Sequence, residues 1–130
     1  MKLLLDTHVY PWYILNDSRL PNNTRLLLRD KSNDVFLSAV SVWEACLNYY
    51  LGKLPLPGDP AHFLPVQRVA HLISPLPVTE DCLRHLQDLP MIHKDPFDRM
   101  LICQAIESEC HLLTDDVAIL KYPVPLIALI

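Results

Sequence analysis

The stretch KLLLD, residues 2–6, decides the fold class, because it reads as a short buried strand that stops at a carboxylate. A stretch of the same kind, LLTDD, occupies residues 112–116. Apolar runs at 35–37, 71–74 and 124–128 predict three further strands, and helical segments separate them all. Strands that alternate with helices predict a three-layer α/β/α fold with a central, mostly parallel sheet of four to five strands.

Capping residues mark the ends of the predicted helices. Ser38 is placed to cap a long helix that ends at Gly52, and Asp95 opens another. Pro65 should bend or interrupt the helix in which it lies. The predicted helices cover residues 9–15, a segment from 20–21 onward, 39–51, a short segment from 59–60, 79–89 and 96–110.

Length and composition limit the function classes. The chain has 130 residues and 51% apolar residues, so we expect a single domain, 1–130, with one ample core. No apolar run reaches the roughly 20 residues of a membrane span, and the N-terminus does not resemble a signal peptide, so a cytoplasmic protein without membrane contact is expected. The net charge of −4 argues against a protein that coats nucleic acid nonspecifically.

Cysteine and histidine give no metal signature. The four cysteines form no C-x-x-C pair and all lie in predicted helices, which indicates reduced, buried thiols. The six histidines are scattered without ligand spacing, which argues against a zinc site.

Four acids lie where a buried segment should not carry a charge: Asp6, Glu44, Asp98 and Asp116. Asp6 and Asp116 follow predicted strands, and ligands of open α/β sheets bind beyond the carboxyl ends of strands. Glu44 and Asp98 lie early in predicted helices and share helical faces with apolar residues. All four are therefore predicted to meet at one edge of the sheet.

Each acid also has an ordinary structural role open to it. Asp6 can end a strand and cap the next helix, and Glu44 can extend to solvent. Asp98 can form a capping box with Asp95, and Asp116 can cap a helix. Asp95 is better explained as a cap than as a ligand.

A divalent cation is the economical explanation for four converging acids. Buried carboxylates are costly unless they are paired or bound to metal, and the chain offers no obvious buried cations to pair them. Carboxylate oxygens suit Mg²⁺, with Mn²⁺ as an alternative, and such a site can activate water and stabilise charge on a phosphodiester. Asp6, Glu44, Asp98 and Asp116 are thus the predicted catalytic and metal-binding residues.

The order of motifs resembles the PIN-domain nucleases, and within them the VapC-type toxins of toxin–antitoxin pairs. The motifs are LLLDTH, SAVSVWE, LGKL, HKDPFDRMLICQA and LLTDD. The resemblance covers nearly the whole chain, and HKDPFDRMLICQA is its most specific part. It implies a PIN-like fold and a Mg²⁺-dependent endoribonuclease that cleaves RNA, in which Asp6, Glu44 and Asp98 hold the ion and Asp116 completes the site.

The resemblance also implies partners and supporting residues. A cognate antitoxin protein that blocks the acidic cleft is expected, and a homodimer is common in this family. Thr7 and Thr114 are candidates to orient carboxylates or water, although each can equally make a local cap or turn bond. Asn48 departs from the pattern, because related sequences often carry Lys four residues after the helical Glu.

Basic and aromatic residues give weaker signals. Candidate RNA contacts near the site rim are Lys53, Lys94, Arg99 and Lys121, for which solvated surface is an equal alternative. Core or dimer packing is the better explanation than base stacking for Trp12, Trp43, Tyr49 and Tyr50.

Two other function classes compete with the nuclease. A noncatalytic PIN-like module would bind RNA or a protein without metal-dependent cleavage, which Asn48 and the negative net charge weakly favour. A phosphatase with Asp6 as nucleophile would need a second Asp two residues later, where this chain has His8.

Overall fold

The computed structural model describes residues 1–129, and its centre is a five-stranded sheet in which every neighbouring pair of strands is parallel. The strand order is β3-β2-β1-β4-β5. The strands are β1 (Lys2–Leu5), β2 (Asp34–Ser38), β3 (Ser74–Leu76), β4 (His111–Thr114) and β5 (Leu126–Ala128). The predicted fold class is confirmed, because helices connect the strands as parallel pairing requires.

Helices cover both faces of this sheet. They are α1 (Val9–Ile14), α2 (Asn22–Arg29), α3 (Ala39–Tyr50), α4 (Pro60–Ala70), α5 (Glu80–Leu83) and α6 (Pro96–Glu107). Two short 3₁₀ segments, Arg84–Asp88 and Ile119–Lys121, complete the described elements. Among residues 1–129, no helix has both the length and the apolar character that a bilayer crossing requires.

The core is divided by the sheet into two clusters. Leu3 and Leu5 point to the side of α1, α2 and α4, whereas Leu4, between them, packs against α6 on the opposite side. All three are fully buried. This alternation follows from the two-residue repeat of a strand, and burial on both faces explains why β1 is a continuous apolar run.

Several predicted boundaries were wrong, for local reasons. The third strand begins at Ser74 rather than 71, because α4 continues through Pro65 to Ala70 and Leu72 then adopts a left-handed backbone with φ +58°. Pro65 lies inside α4 without interrupting it, although its missing N–H leaves one backbone hydrogen bond of the helix unmade. The last strand begins at Leu126 rather than 124.

The C-terminal ends of two other predicted helices also shift. The long helix ends at Glu107, because Glu109 turns left-handed with φ +55°, so Cys110 lies outside it. The helix expected over 79–89 is α5 continued by the 3₁₀ segment. The predicted caps hold: the Ser38 hydroxyl accepts from the Val40 N–H, and Gly52 has a φ of +74° just beyond α3.

The thiols are free, as expected. Cys82, Cys103 and Cys110 are buried and Cys46 is partly buried. Burial raises the pKa of Cys103 to about 11, which keeps that thiol protonated and unreactive at neutral pH.

Candidate metal centre

The four predicted acids line one cavity of about 540 Å³ at the carboxyl edge of the sheet. Asp6 follows β1 directly, and Asp116 lies two residues beyond β4, the strand that pairs with β1. Asp98 lies in the first turn of α6, and Glu44 lies in the middle of α3. The predicted convergence is therefore present, while the chemical role of each acid stays a prediction.

Asp6 is held rigidly at the floor of the cavity. It is 2% exposed, and its Oδ1 accepts a hydrogen bond of 2.7 Å from the Thr7 backbone N–H. Its Oδ2 accepts one of 2.6 Å from the Thr114 hydroxyl. Burial raises the pKa of Asp6, although the nearby His8 and the bond from Thr114 act in the opposite direction.

The pKa of the Asp98 carboxyl group is strongly raised. Burial above all, and then the negative charges of the surrounding acids, Asp6 foremost, together raise its pKa to about 8. A carboxyl that is 8% exposed and surrounded by other acids resists ionisation until a cation arrives.

Glu44 carries a buried oxygen that lacks a partner. Burial is also the main cause of its raised pKa, followed among the raising effects by the charges of Asp95 and Asp6. Its Oε1 has no hydrogen-bond partner among the described residues. An unpaired buried oxygen is costly, and it is one that a cation in the cavity would satisfy.

Asp116 combines a cap with a place in the cavity wall. Its Oδ1 accepts hydrogen bonds of 2.8 Å and 3.3 Å from the N–H groups of Ala118 and Ile119, so the cap considered as an alternative role is present. Burial alone would raise its pKa, but these bonds and one from His93 outweigh it, and the pKa is lowered. Asp116 is therefore the acid most ready to be charged before a cation binds.

Thr114 links two of the acids. Besides donating to Asp6, its hydroxyl oxygen accepts a bond of 3.0 Å from the Asp116 N–H. Thr7 acts differently, because its hydroxyl donates to Ser41 on α3 at 3.1 Å while its backbone serves Asp6. Both threonines thus fix the framework around Asp6.

Two further residues, Asp95 and His93, lie beside the four acids. Asp95 was predicted from the sequence as a helix cap, whereas no sequence pattern indicated His93. Asp95 caps α6 as predicted, its Oδ1 accepting from the Phe97 N–H at 2.9 Å, yet it also has an oxygen within 4.8 Å of oxygens of Glu44 and Asp98. His93 brings its Nε2 to 2.8 Å from Asp98. The spacing of histidines and acids along the chain did not indicate His93, because its partners are Asp98, five residues later, and Asp116, beyond β4.

The rim of the cavity differs from the predicted basic rim. Lys53 lines the cavity as expected, and so do Arg19 and Asn48. Arg99 does not line the cavity, and its guanidinium donates to the Pro90 carbonyl at 3.0 Å, so its RNA contact stays a prediction. Lys94 and Lys121 are not among the residues that line the cavity.

Other expectations are also corrected. Asp115, which is about half exposed, pairs with the His8 ring. Trp43 and Tyr50 are 64% and 70% exposed, which excludes core packing for both. Trp12 lines the acidic cavity, where the Arg19 guanidinium lies 5.0 Å from the centre of its ring.

These residues fit a hard divalent cation. Carboxylate oxygens of Glu44, Asp95 and Asp98 approach within 4.8 Å of one another, a span that one ion can bridge. The unpaired oxygen of Glu44 and the raised pKa of Asp98 both indicate uncompensated negative charge. The donor set is oxygen-rich, which favours Mg²⁺ or Mn²⁺ over softer ions.

Comparison with known proteins places these observations in a family. The PIN domain profile matches residues 3–124. Ribonuclease VapC16 of Mycobacterium tuberculosis is 44% identical over 57 residues, which cover 44% of this chain and 40% of that relative. The match therefore spans less than half of the relative's own length.

Solved structures share the fold at low sequence identity. A chain of the DNA-bound VapBC2 complex from Rickettsia felis superposes with a TM-score of 0.70 and 16% identity, covering 98% of both chains. A chain of DNA-bound VapBC from Salmonella typhimurium gives 0.70 and 17%, covering 100% of this chain and 99% of its own. The FitAB complex bound to IR36 DNA gives 0.65 and 19%, with 97% and 94% coverage.

Proposed function

Because the chain belongs to the PIN domain family, we propose that it is a metal-dependent endoribonuclease and the toxin of a type II toxin–antitoxin pair. The local similarity to a ribonuclease and the shared fold with VapBC complexes support this proposal. One observation carries it: four acids from separate parts of the chain line a single cavity in which a buried Glu44 oxygen lacks a partner.

The acids have separate tasks in this proposal. Asp6, Glu44 and Asp98 would hold Mg²⁺ or Mn²⁺, and Asp116 would complete the site. The bound ion supplies an activated water and stabilises negative charge on the phosphodiester. Thr114 forms hydrogen bonds with both Asp6 and Asp116 and so fixes their relative positions. Little rearrangement of these two acids is therefore needed when the ion binds.

The wall of the cavity suits a polyanion despite the net charge of the chain. Lys53 and Arg19 lie on the same cavity as the acids and place positive charge at its rim. Trp12 adds an aromatic surface beside Arg19. We propose that an RNA strand lies along this rim, with its phosphate at the carboxylates. Lys53 would then supply the positive charge that Asn48 does not.

The phosphatase has less support. Two residues after Asp6, where such an enzyme needs a second Asp, the chain has His8, whose ring lies 3.5 Å from the Asp6 carboxylate. The noncatalytic module remains the alternative function, and it differs in predicting RNA binding without cleavage.

Metal removal tests the function directly. Purified protein is expected to cleave RNA in Mg²⁺ or Mn²⁺, to stop in EDTA, and to resume when the ion is restored in excess. The reason is that the buried Glu44 oxygen lacks a partner and the clustered acids repel one another, so they hold a phosphodiester productively only around a cation. Gel analysis of RNA fragments is the measurement. RNA that binds but stays intact at every metal concentration would establish the noncatalytic module instead.

We also propose a cognate antitoxin that covers the acidic cavity and a homodimer formed through a separate apolar surface. That surface is a depression of about 340 Å³ between α3 and α6, lined by Ala39, Val40, Trp43, Val78, Pro96, Phe97 and Met100. Trp43 stands 64% exposed beside it, its ring centre 4.7 Å from that of Phe97. Large exposed aromatics of this kind are typical of interface anchors.

Replacing Trp43 with Ser is expected to shift the protein from dimer to monomer, since it removes the largest apolar contact of the surface. Light scattering coupled to size exclusion measures the mass in solution. Tyr50→Ser is the matched control, because Tyr50 is equally exposed on the same helix but lies outside the depression. A monomeric parent protein, or two variants that behave alike, would rule out this surface.

A further inference from the structure

His93 occupies a central position among the acids. It lies in the loop before α6, its side chain is 19% exposed, and its Nε2 contacts two carboxylates at once. The distances are 2.8 Å to Asp98 Oδ2 and 3.2 Å to Asp116 Oδ2. A nitrogen so placed is either a ligand of the bound cation or a donor to the acids that hold it.

The other ring nitrogen decides between these roles. The backbone N–H of Asp95 points at His93 Nδ1 over 3.2 Å. A backbone N–H can only donate, so Nδ1 must present its lone pair and the ring proton lies on Nε2. The Nε2–H group then points at Asp98 and Asp116 and has no lone pair to offer a cation.

We propose that His93 is a positioning residue, which clamps Asp98 to Asp116 through its Nε2–H group and does not bind the metal. The inference rests on the proposed function and deepens it, because it assigns the element that fixes the geometry of the metal-binding acids. Asp116 is already anchored at its other oxygen by the N–H groups of Ala118 and Ile119. His93 therefore ties Asp98, on α6, to a carboxylate fixed at the end of β4.

The clamp is itself held by a buried tyrosine. The backbone N–H of His93 donates to the Tyr122 hydroxyl at 2.9 Å, and Tyr122 is only 3% exposed. Arg99 donates to the same hydroxyl at 3.2 Å. Tyr122 lies in the segment that follows β4, and Arg99 lies on α6. These bonds therefore fix the His93 loop to the segment that carries Asp116 and to the helix that carries Asp98.

The ring proton gives a test that does not require activity. Long-range proton–nitrogen NMR of the metal-free protein distinguishes the two neutral tautomers of each histidine. We expect the His93 ring, assigned by its absence in His93→Gln, to be protonated at Nε2 and to remain so after Mg²⁺ is added. A proton on Nδ1, or loss of the Nε2 proton on Mg²⁺ binding, would overturn the inference.

Metal affinity provides the second test. His93→Ala is expected to weaken Mg²⁺ and Mn²⁺ binding by the same factor, about 10-fold or more, as measured by calorimetry. His93→Gln should recover part of the loss, because its side-chain amide can donate from nearly the position of Nε2. Unchanged affinity for both ions contradicts a clamp. A loss much larger for Mn²⁺ than for Mg²⁺ identifies a nitrogen ligand.

His85→Ala is the matched control. His85 also contacts a carboxylate, Glu107, at 2.7 Å, but Glu107 is the last residue of α6 and lies outside the acidic cavity. This variant should bind both ions as the parent does. If the parent itself bound no Mg²⁺, the proposed function would fall, and the NMR spectra of the metal-free protein would decide the role of His93 alone.

Discussion

Replacing Asp98 with Asn is expected to abolish RNA cleavage, lowering its rate on the order of 1,000-fold or more, while the protein stays folded. The change keeps the size of the side chain but removes a charge from the cluster of acids that would hold the ion. Metal catalysis supplies several kcal/mol of transition-state stabilisation, and each ~1.4 kcal/mol corresponds to a factor of ten in rate. Initial rates of RNA cleavage in saturating Mg²⁺ provide the measurement.

The matched control is Asp81→Asn. Asp81 is an acid in the first turn of α5, as Asp98 is in the first turn of α6, but it is exposed and does not line the cavity. Its variant should cleave RNA at the parent rate. Equal rates for parent and Asp98→Asn, in preparations freed of contaminating nuclease, would remove Asp98 from the proposed site.

The same substitution is expected to stabilise the protein when no metal is bound. The pKa of Asp98 rises from 3.8 to about 8 on folding, so the folded state favours the protonated acid. Stability from this group is complete below pH 4 and is lost as the pH rises towards 8, because ionisation then favours the unfolded chain. At pH 8, Asp98→Asn should raise the free energy of unfolding by up to about 5 kcal/mol, since each unit of pKa shift corresponds to about 1.4 kcal/mol.

Thermal unfolding in EDTA between pH 5 and pH 8 measures this effect. The parent should lose stability across that range more steeply than Asp98→Asn, and Mg²⁺ should raise the Tm of the parent alone. Parallel pH profiles for the two proteins would contradict the raised pKa. The combination of lost activity and gained stability distinguishes a functional acid from one that supports the fold.

Much of the site was predictable because it depends on short-range patterns. Asp6 and Asp116 each follow an apolar strand, and parallel strands end at a common edge. Glu44 and Asp98 were recognisable from the apolar residues on their helical faces. The three-layer fold followed from the same alternation of strands and helices.

The remainder depended on contacts between distant segments. His93 lies in a loop without periodicity, and its place is set by Tyr122, 29 residues later in the chain. Arg99 looked like a surface cation, but its guanidinium donates to the Pro90 carbonyl and the Tyr122 hydroxyl. The shifted start of β3 likewise follows from the backbone turn at Leu72, a non-glycine residue that local patterns do not place in a left-handed conformation.

The pairing of β1 with β4 also constrains when this protein can act during its own synthesis. The bond between Thr114 and Asp6 joins residues 108 positions apart, and Asp116 lies further still along the chain. A ribosome that has not yet delivered these residues carries a nascent polypeptide with an incomplete pocket. The proposed toxin can therefore attack RNA only after the ribosome has delivered the chain through Asp116.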